Sequence, residues 1–160
     1  MTAVLSTSLP DLRLRELQAA DAAAYHALVQ QNAGHLTRLG DYRDEVAAGV
    51  DDITAQFSVP ADVPVRFGVE LAGRLVGRVD LVPVDPPRYG LGYWLAEEVT
   101  GRGLATAAVA ALLEHARDLG ATDVFAGVTH GNVPSEALLG RLGFAVVADF
   151  GNYRRFHRTL

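Results

Sequence analysis

Leu91-Gly-Tyr-Trp-Leu-Ala-Glu-Glu-Val-Thr-Gly-Arg-Gly-Leu-Ala-Thr-Ala-Ala108 runs from an apolar stretch ending near Ala96, through a turn with two glycines, into an alanine-rich run that lasts to Leu119. This pattern predicts a strand, a tight turn and a helix in immediate succession. Gly101 and Gly103 allow the backbone to turn sharply and leave its N–H groups open. The helix start adds unpaired N–H groups and a partial positive charge. Such a junction suits an anion, and the natural anion is a phosphate or pyrophosphate. Two familiar phosphate loops do not fit. A dinucleotide fingerprint needs a third glycine where Thr106 stands, and a Walker loop needs a lysine, of which the chain has none.

Outward from this junction, the alternation over Pro10–Glu16 predicts a first strand, with Leu12, Leu14 and Glu16 on one side. Asp21 opens an alanine-rich helix that fades near Asn32. Asp41 is placed to cap a second helix, whose stripe is Tyr42, Val46, Val50, Ile53 and Phe57. Residues 65–71 and 75–82 read as a hairpin around Ala72-Gly-Arg74. After the junction helix stops at Gly120, Val124–Thr129 reads as a strand and Pro134–Leu142 as a short helix closed by Gly143. Phe144–Val147 and Tyr153–Thr159 are expected to pair as final strands. The strand–helix–strand passage from Leu91 to Thr129 predicts a crossover between parallel strands.

One hundred and sixty residues with 49% hydrophobic content fit a single domain over 1–160. The net charge of -5 and a pI near 5.4 argue against nucleic acid as a partner. No run of apolar residues is long enough for a membrane span. Met1–Pro10 lacks the basic residues and apolar run of a secretory signal, so a cytoplasmic location is expected. There is no cysteine, which excludes disulfides, thiolate zinc sites and a thiol nucleophile. All 14 basic residues are arginine, which excludes lysine chemistry. His26, His35, His115, His130 and His157 show no metal spacing, and no metal is expected.

A second constellation follows the junction: Thr129-His-Gly-Asn-Val-Pro-Ser135, then Leu138-Leu-Gly-Arg-Leu-Gly-Phe144. Asn132 lies just past a strand and just before a helix, where an N-cap belongs.

Both constellations together resemble the GNAT superfamily of N-acetyltransferases, and within it the RimJ/RimL-like branch. The resemblance rests on Leu12-Arg-Leu-Arg15 with Asp21, Gly92-Tyr-Trp-Leu95, Gly101-Arg-Gly-Leu-Ala-Thr106, and Asn132-x-x-Ser135 with Leu142-Gly-Phe144. These span nearly the whole chain in the family's order. The family's Arg/Gln-x-x-Gly-x-Gly/Ala pattern is matched by Gly103 and Ala105, with Thr100 in place of the leading Arg/Gln. The fold implied is a GNAT fold: an α+β (α/β-type) single domain with a mixed central sheet of about six to seven strands and about four helices.

The resemblance implies acetyl-CoA as acetyl donor, bound in a splay between the Leu91 and Val124 strands. Its pyrophosphate is expected on the N–H groups of Arg102, Gly103, Leu104, Ala105 and Thr106. Asn132 is expected on the pantetheine arm and Ser135 near the sulfur, as the acid for the leaving thiolate. Leu138 and Leu139 occupy the places where many relatives carry a tyrosine acid. Backbone N–H groups near Trp94 and Leu95 are expected to polarise the thioester carbonyl and steady the developing oxyanion. A neutral amine is needed for attack, so a base or a water chain to one is useful. Asp80, Glu70, Tyr93 and His130 are the candidates. Tyr25, His35 and Tyr42 fall in the region that shapes the family's acceptor site. Arg154-Arg-Phe-His-Arg158 reads as an edge strand or as a charge for an acidic acceptor or the nucleotide phosphate. The expected reaction is direct acetyl transfer to a primary amine, with a protein or peptide N-terminus leading. A small amine is the alternative within the class, and a non-catalytic acyl-CoA-binding module is the alternative outside it. Homodimers are frequent in this branch.

Overall fold

Alternating runs of Val, Leu and Phe on one period and alanine-rich runs on the other lay down strands and helices in turn. The computed structural model describes residues 2–160; of the N-terminal run considered as a targeting signal, Met1 lies outside the described residues. The first part contains β1 (Val4–Ser6), β2 (Leu12–Glu16), α1 (Ala22–Gln31), α2 (Ala33–Thr37), α3 (Arg43–Ala47) and α4 (Val50–Phe57). It continues through β3 (Arg66–Leu71), β4 (Arg74–Asp85), β5 (Arg88–Leu95) and α5 (Leu104–Asp118). The last part holds β6 (Asp123–Thr129), α6 (Val133–Arg141), β7 (Ala145–Asp149) and β8 (Tyr153–Thr159). The strands form one mixed sheet in the order β1-β2-β3-β4-β5-β6-β8-β7. Among the described residues only β5 and β6 are parallel neighbours, with α5 as the connection between them.

Two differences from the expected count have local causes. The sheet has eight strands among the described residues because β1 adds to β2 in antiparallel register from Val4↔Arg15. The expected helix over Tyr42–Phe57 is two helices. Ala48 is extended (φ -67°, ψ 131°) and ends α3, while the Asp52 carboxylate accepts from the Gly49 N–H at 2.9 Å and starts α4. A further short helix, α2, continues from α1 at Asn32. The terminal basic segment is not an edge strand. β8 lies between β6 and β7, which pair with it on either side.

Residue alternation along β5 sends Leu91 and Leu95 to one face and Trp94 to the other. The first face carries the larger core, where Leu12, Leu14, Phe67, Val69 and Val79 pack on Val109 and Leu112 of α5. The second face holds Trp94 with Tyr25 and Val29 of α1, Leu36 of α2, and Ile53 and Phe57 of α4.

The sheet also builds an opening. Parallel pairing of β5 with β6 stops after Arg88↔Asp123, Tyr89↔Val124 and Gly90↔Phe125. Beyond Gly90 the two strands separate. On β5, the Ala96 N–H donates to the Val76 carbonyl at 2.7 Å, continuing the Gly77↔Leu95 register. Antiparallel alternation then turns the main chain of Trp94 toward β4 and that of Tyr93 and Leu95 toward the gap. On β6, the His130 N–H donates to Asn152 at 3.1 Å, and the same alternation turns Gly127 and the Thr129 N–H toward the gap.

Candidate active site

A cleft of about 610 Å³ begins at the glycine turn and runs through the gap between β5 and β6. Its first wall is the start of α5. Gly101 and Gly103 both have φ +77°, a left-handed conformation that costs other residues about 1–2 kcal/mol. A Cβ at either position would meet no protein atom within 4 Å, so backbone conformation rather than packing requires these glycines. Gly103 is the N-cap of α5, with no side-chain cap and no acidic residue in the first turn. The N–H groups of Leu104, Ala105 and Thr106 therefore have no helical partner and face a cleft those residues line. An anionic group fits this cradle. Arg102 is exposed and is not among the lining residues.

The second wall is α6. Asn132 caps it, its side-chain oxygen accepting from the Ser135 N–H at 3.3 Å. Ser135 sits one turn in, on the face that also carries Leu138 and Arg141. Ser135 Oγ is in close hydrogen-bond contact with the Tyr93 hydroxyl, which arrives from β5 across the gap. Burial raises the Tyr93 phenol above its ordinary value, with Ser135 and Arg141 pulling the other way. At neutral pH this phenol holds its proton. Arg141 also donates to Thr106 Oγ1 at 3.3 Å, which brings a cation from α6 to the α5 N-terminus. Sequence inspection passed over Arg141; the signal was its spacing of three from Leu138, which itself stands three from Ser135, so that the three form a ridge along the helix.

Of the strand residues, Trp94 and Leu95 both line the cleft. The Leu95 N–H faces the gap, whereas the Trp94 N–H lies on the β4 side, and the Trp94 indole donates to the Tyr25 hydroxyl at 3.3 Å.

The acidic candidates lie elsewhere. Asp80 is held by Arg78 Nε at 2.9 Å on the α1–α4 face and does not line the cleft. Burial raises its pKa, with the Arg78 charge opposing. Arg78 also reaches Glu45 of α3 at 3.3 Å and Gln56 of α4 at 3.0 Å, and so binds both helices to β4. Glu70 is buried between Arg13 and Arg15, at 2.9 Å from each, at the other end of the sheet. His130 pairs with Asp149 at 2.8 Å and stands outside the main cleft, on a second opening beyond β6.

The far end of the main cleft is closed by the segment between α2 and α3. Tyr42 has φ 61°, a strained conformation for a non-glycine residue. Its hydroxyl donates to the Tyr93 carbonyl at 2.9 Å, one of the groups the strand separation left open. Burial first, then the nearby Asp41 charge, raises its pKa. Asp41 does not cap a helix; its carboxylate accepts from the Thr129 hydroxyl on β6. His35 lines this end as well, whereas Tyr25 lies in the core behind it. Of the basic terminal segment, Arg154 pairs with Glu136 at 2.8 Å and Asp149 at 3.4 Å, and His157 with Asp123 at 2.7 Å. Among the described residues no group of three or more His, Asp or Glu is placed to hold a metal, and no helix is long and apolar enough to cross a membrane.

The family model described as acetyltransferase (GNAT) domain matches residues 11–145. No curated protein gives a significant match to the chain. Among solved structures, RimL, a ribosomal L7/L12 α-N-protein acetyltransferase in complex with coenzyme A, superposes with a TM-score of 0.87 at 16% identity, over 99% of this chain and 98% of that one. RimJ of Mycobacterium smegmatis, in complex with CoA-disulfide, gives a TM-score of 0.79 at 25% identity, over 99% of this chain and 86% of that one. A ribosomal-protein-S5-alanine acetyltransferase from Vibrio fischeri gives 0.81 at 16% identity, over 96% of each chain.

Proposed function

The chain belongs to the acetyltransferase (GNAT) domain family, and on that premise we propose that it moves an acetyl group from acetyl-CoA directly to a primary amine, with a protein or peptide N-terminus as the leading acceptor. One observation carries this reading: the separation of β5 from β6 leads straight from the uncapped α5 N-terminus to the Ser135–Tyr93 hydroxyl pair. When bound, acetyl-CoA supplies an activated acetyl group on a thioester with a thiolate leaving group.

The chain's own residues divide the remaining work. The amides of Leu104, Ala105 and Thr106 hold the diphosphate, with Arg141 adding charge from α6. Asn132 keeps its side-chain NH₂ for the pantetheine arm while its oxygen caps α6. The Leu95 N–H is aimed into the gap for the thioester carbonyl oxygen. Ser135 Oγ gives its proton to the departing sulfur and takes one from the Tyr93 hydroxyl behind it, and the proton released by the attacking amine returns to the Tyr93 oxygen through water, so the pair ends as it began. A thiol has an ordinary pKa near 8.5, so this acid assists departure rather than deciding it.

The experiment is calorimetric titration with acetyl-CoA, followed by thioester consumption against a panel of free-amine peptides and small amines. Micromolar binding with turnover on peptides supports the reading. Binding without turnover on any amine would favour an acyl-CoA-binding module, and turnover on small amines alone would move the acceptor to that class.

A further inference from the structure

The second opening, of about 640 Å³, lies beyond β6 and is lined by Leu39, Asp41, Gly127, Thr129, His130 and Tyr153 among others. It shares Leu39, Asp41, Tyr42, Gly127 and Thr129 with the main cleft, so the two meet at the α2–α3 segment. Asp41 is the one carboxylate lining both openings among the described residues. The main cleft's other acid, Glu97, is already neutralised by Arg38 at 2.6 Å, with His35 Nδ1 at 3.6 Å. Asp41 has no basic partner among the described residues; its contact is the neutral Thr129 hydroxyl, which engages Oδ2. That bond orients the carboxylate and leaves Oδ1 available.

We infer that the second opening admits the acceptor and that Asp41 is the counter-charge for its ammonium group. A partly buried carboxylate without a cation of its own is stabilised by a cationic ligand and selects for one. The strained backbone at Tyr42, pinned by its hydroxyl on the Tyr93 carbonyl, fixes Asp41 at the junction of the two openings. On their β5 side Gly127 and the Thr129 N–H present an unpaired stretch of strand, in the gap where the two openings meet. A ligand that matches both features carries an ammonium group followed by amide bonds, which is a peptide N-terminus. Asp41 is thus a binding and positioning residue. The inference rests on the acetyl-transfer reading, and its test is independent of turnover.

The test is calorimetric titration of the CoA-saturated protein with a hexapeptide bearing a free N-terminal serine, against its N-acetylated twin. The native protein is expected to bind the free-amine peptide at least tenfold more tightly. Asp41→Asn retains the acceptor for the Thr129 hydroxyl but removes the charge. It is expected to bring the two peptides within about threefold while leaving CoA affinity unchanged. An Asp41→Asn protein that keeps the preference overturns the inference. If neither peptide binds the native protein, the same titration with spermidine decides. Charge-dependent binding there keeps Asp41 as the counter-charge for a small amine, and equal binding or none in both proteins overturns it. Failure of CoA itself to bind would remove the acetyl-transfer reading, while the amine titrations repeated without CoA still judge Asp41.

Discussion

The glycine turn and the α2–α3 segment close opposite ends of one cleft with different materials. At the turn, the cleft's polar lining belongs to main-chain N–H groups, and the nearest side chains, Ala105 and Thr106, are small. At the α2–α3 segment it belongs to side chains: Asp41 on Thr129, and Tyr42 on the Tyr93 carbonyl. The turn stands by itself, because two left-handed glycines and a helix start make the cradle locally. The other end depends on long-range supports. Arg78 ties Glu45, three residues after Tyr42, to the sheet together with Asp80 and Gln56. A backbone-built end keeps its geometry whatever side chains surround it, whereas a side-chain-built end changes with each substitution.

The sharpest way to break this contrast is Arg78→Met. It leaves the Glu45 and Asp80 carboxylates without their cation, which costs about 3 kcal/mol for a mostly buried pair. Urea unfolding measures that loss, and CoA affinity under native conditions should hold. A loss below about 1 kcal/mol, the range of surface pairs, would mean that the α2–α3 end does not depend on this network.

Ser135→Ala tests the middle of the cleft. We expect kcat to fall roughly 10- to 100-fold, the lower range for one acid–base group, with little change in CoA affinity. Unchanged kcat on the true acceptor would hand the thiolate's proton to water.

Gly103→Val tests the backbone-built end. A branched side chain in the left-handed region, beside the cradle, should weaken CoA binding at least tenfold, about 1.4 kcal/mol, by calorimetry. Equal affinity in a folded variant would show that the turn does not hold the phosphates.

The two ends should also part at alkaline pH. Burial raises the phenols of Tyr25, Tyr42 and Tyr93 above the unfolded value near 10. Because the folded state holds these protons more tightly, stability is complete below about pH 10 and declines as pH rises beyond it. Urea midpoints followed together with tyrosinate absorbance measure this. A flat stability curve past pH ~11 would contradict the burial of these hydroxyl groups.

The smallest effect separates the two duties of Asn132. Asn132→Ser keeps a capping oxygen, so stability should change by less than about 0.5 kcal/mol. Acetyl-CoA affinity should nevertheless drop, because the side-chain NH₂ is lost. Full affinity would leave Asn132 as a cap alone.

Legibility in the sequence followed the same division between the ends. Gly101, Gly103, Asn132 and Ser135 were readable because turn, cap and first-turn positions are set by neighbours within a few residues. The parallel β5–β6 pair was readable because a helix of α5's length between two strands allows little else. The break at Ala48–Gly49 was missed because the apolar stripe keeps helical spacing across it and periodicity carries no trace of an extended residue. β1 was missed because three residues are too few to show a period.

The sequence by itself determined most of the elements and their order, the glycine turn at the start of α5 and the resemblance to the family, since each depends on short-range geometry and periodicity. Only the tertiary structure decided which carboxylates have a basic partner. Asp80 and Glu70 are engaged by arginines of the same strand or of the neighbouring one, whereas Asp41, among the described residues, is carried to β6 with only a hydroxyl for company. Glu70 meets arginines 57 and 55 positions away and Asp41 meets Thr129 88 positions away, distances closed only by the pairing of strands and the packing of the α2–α3 segment against the sheet.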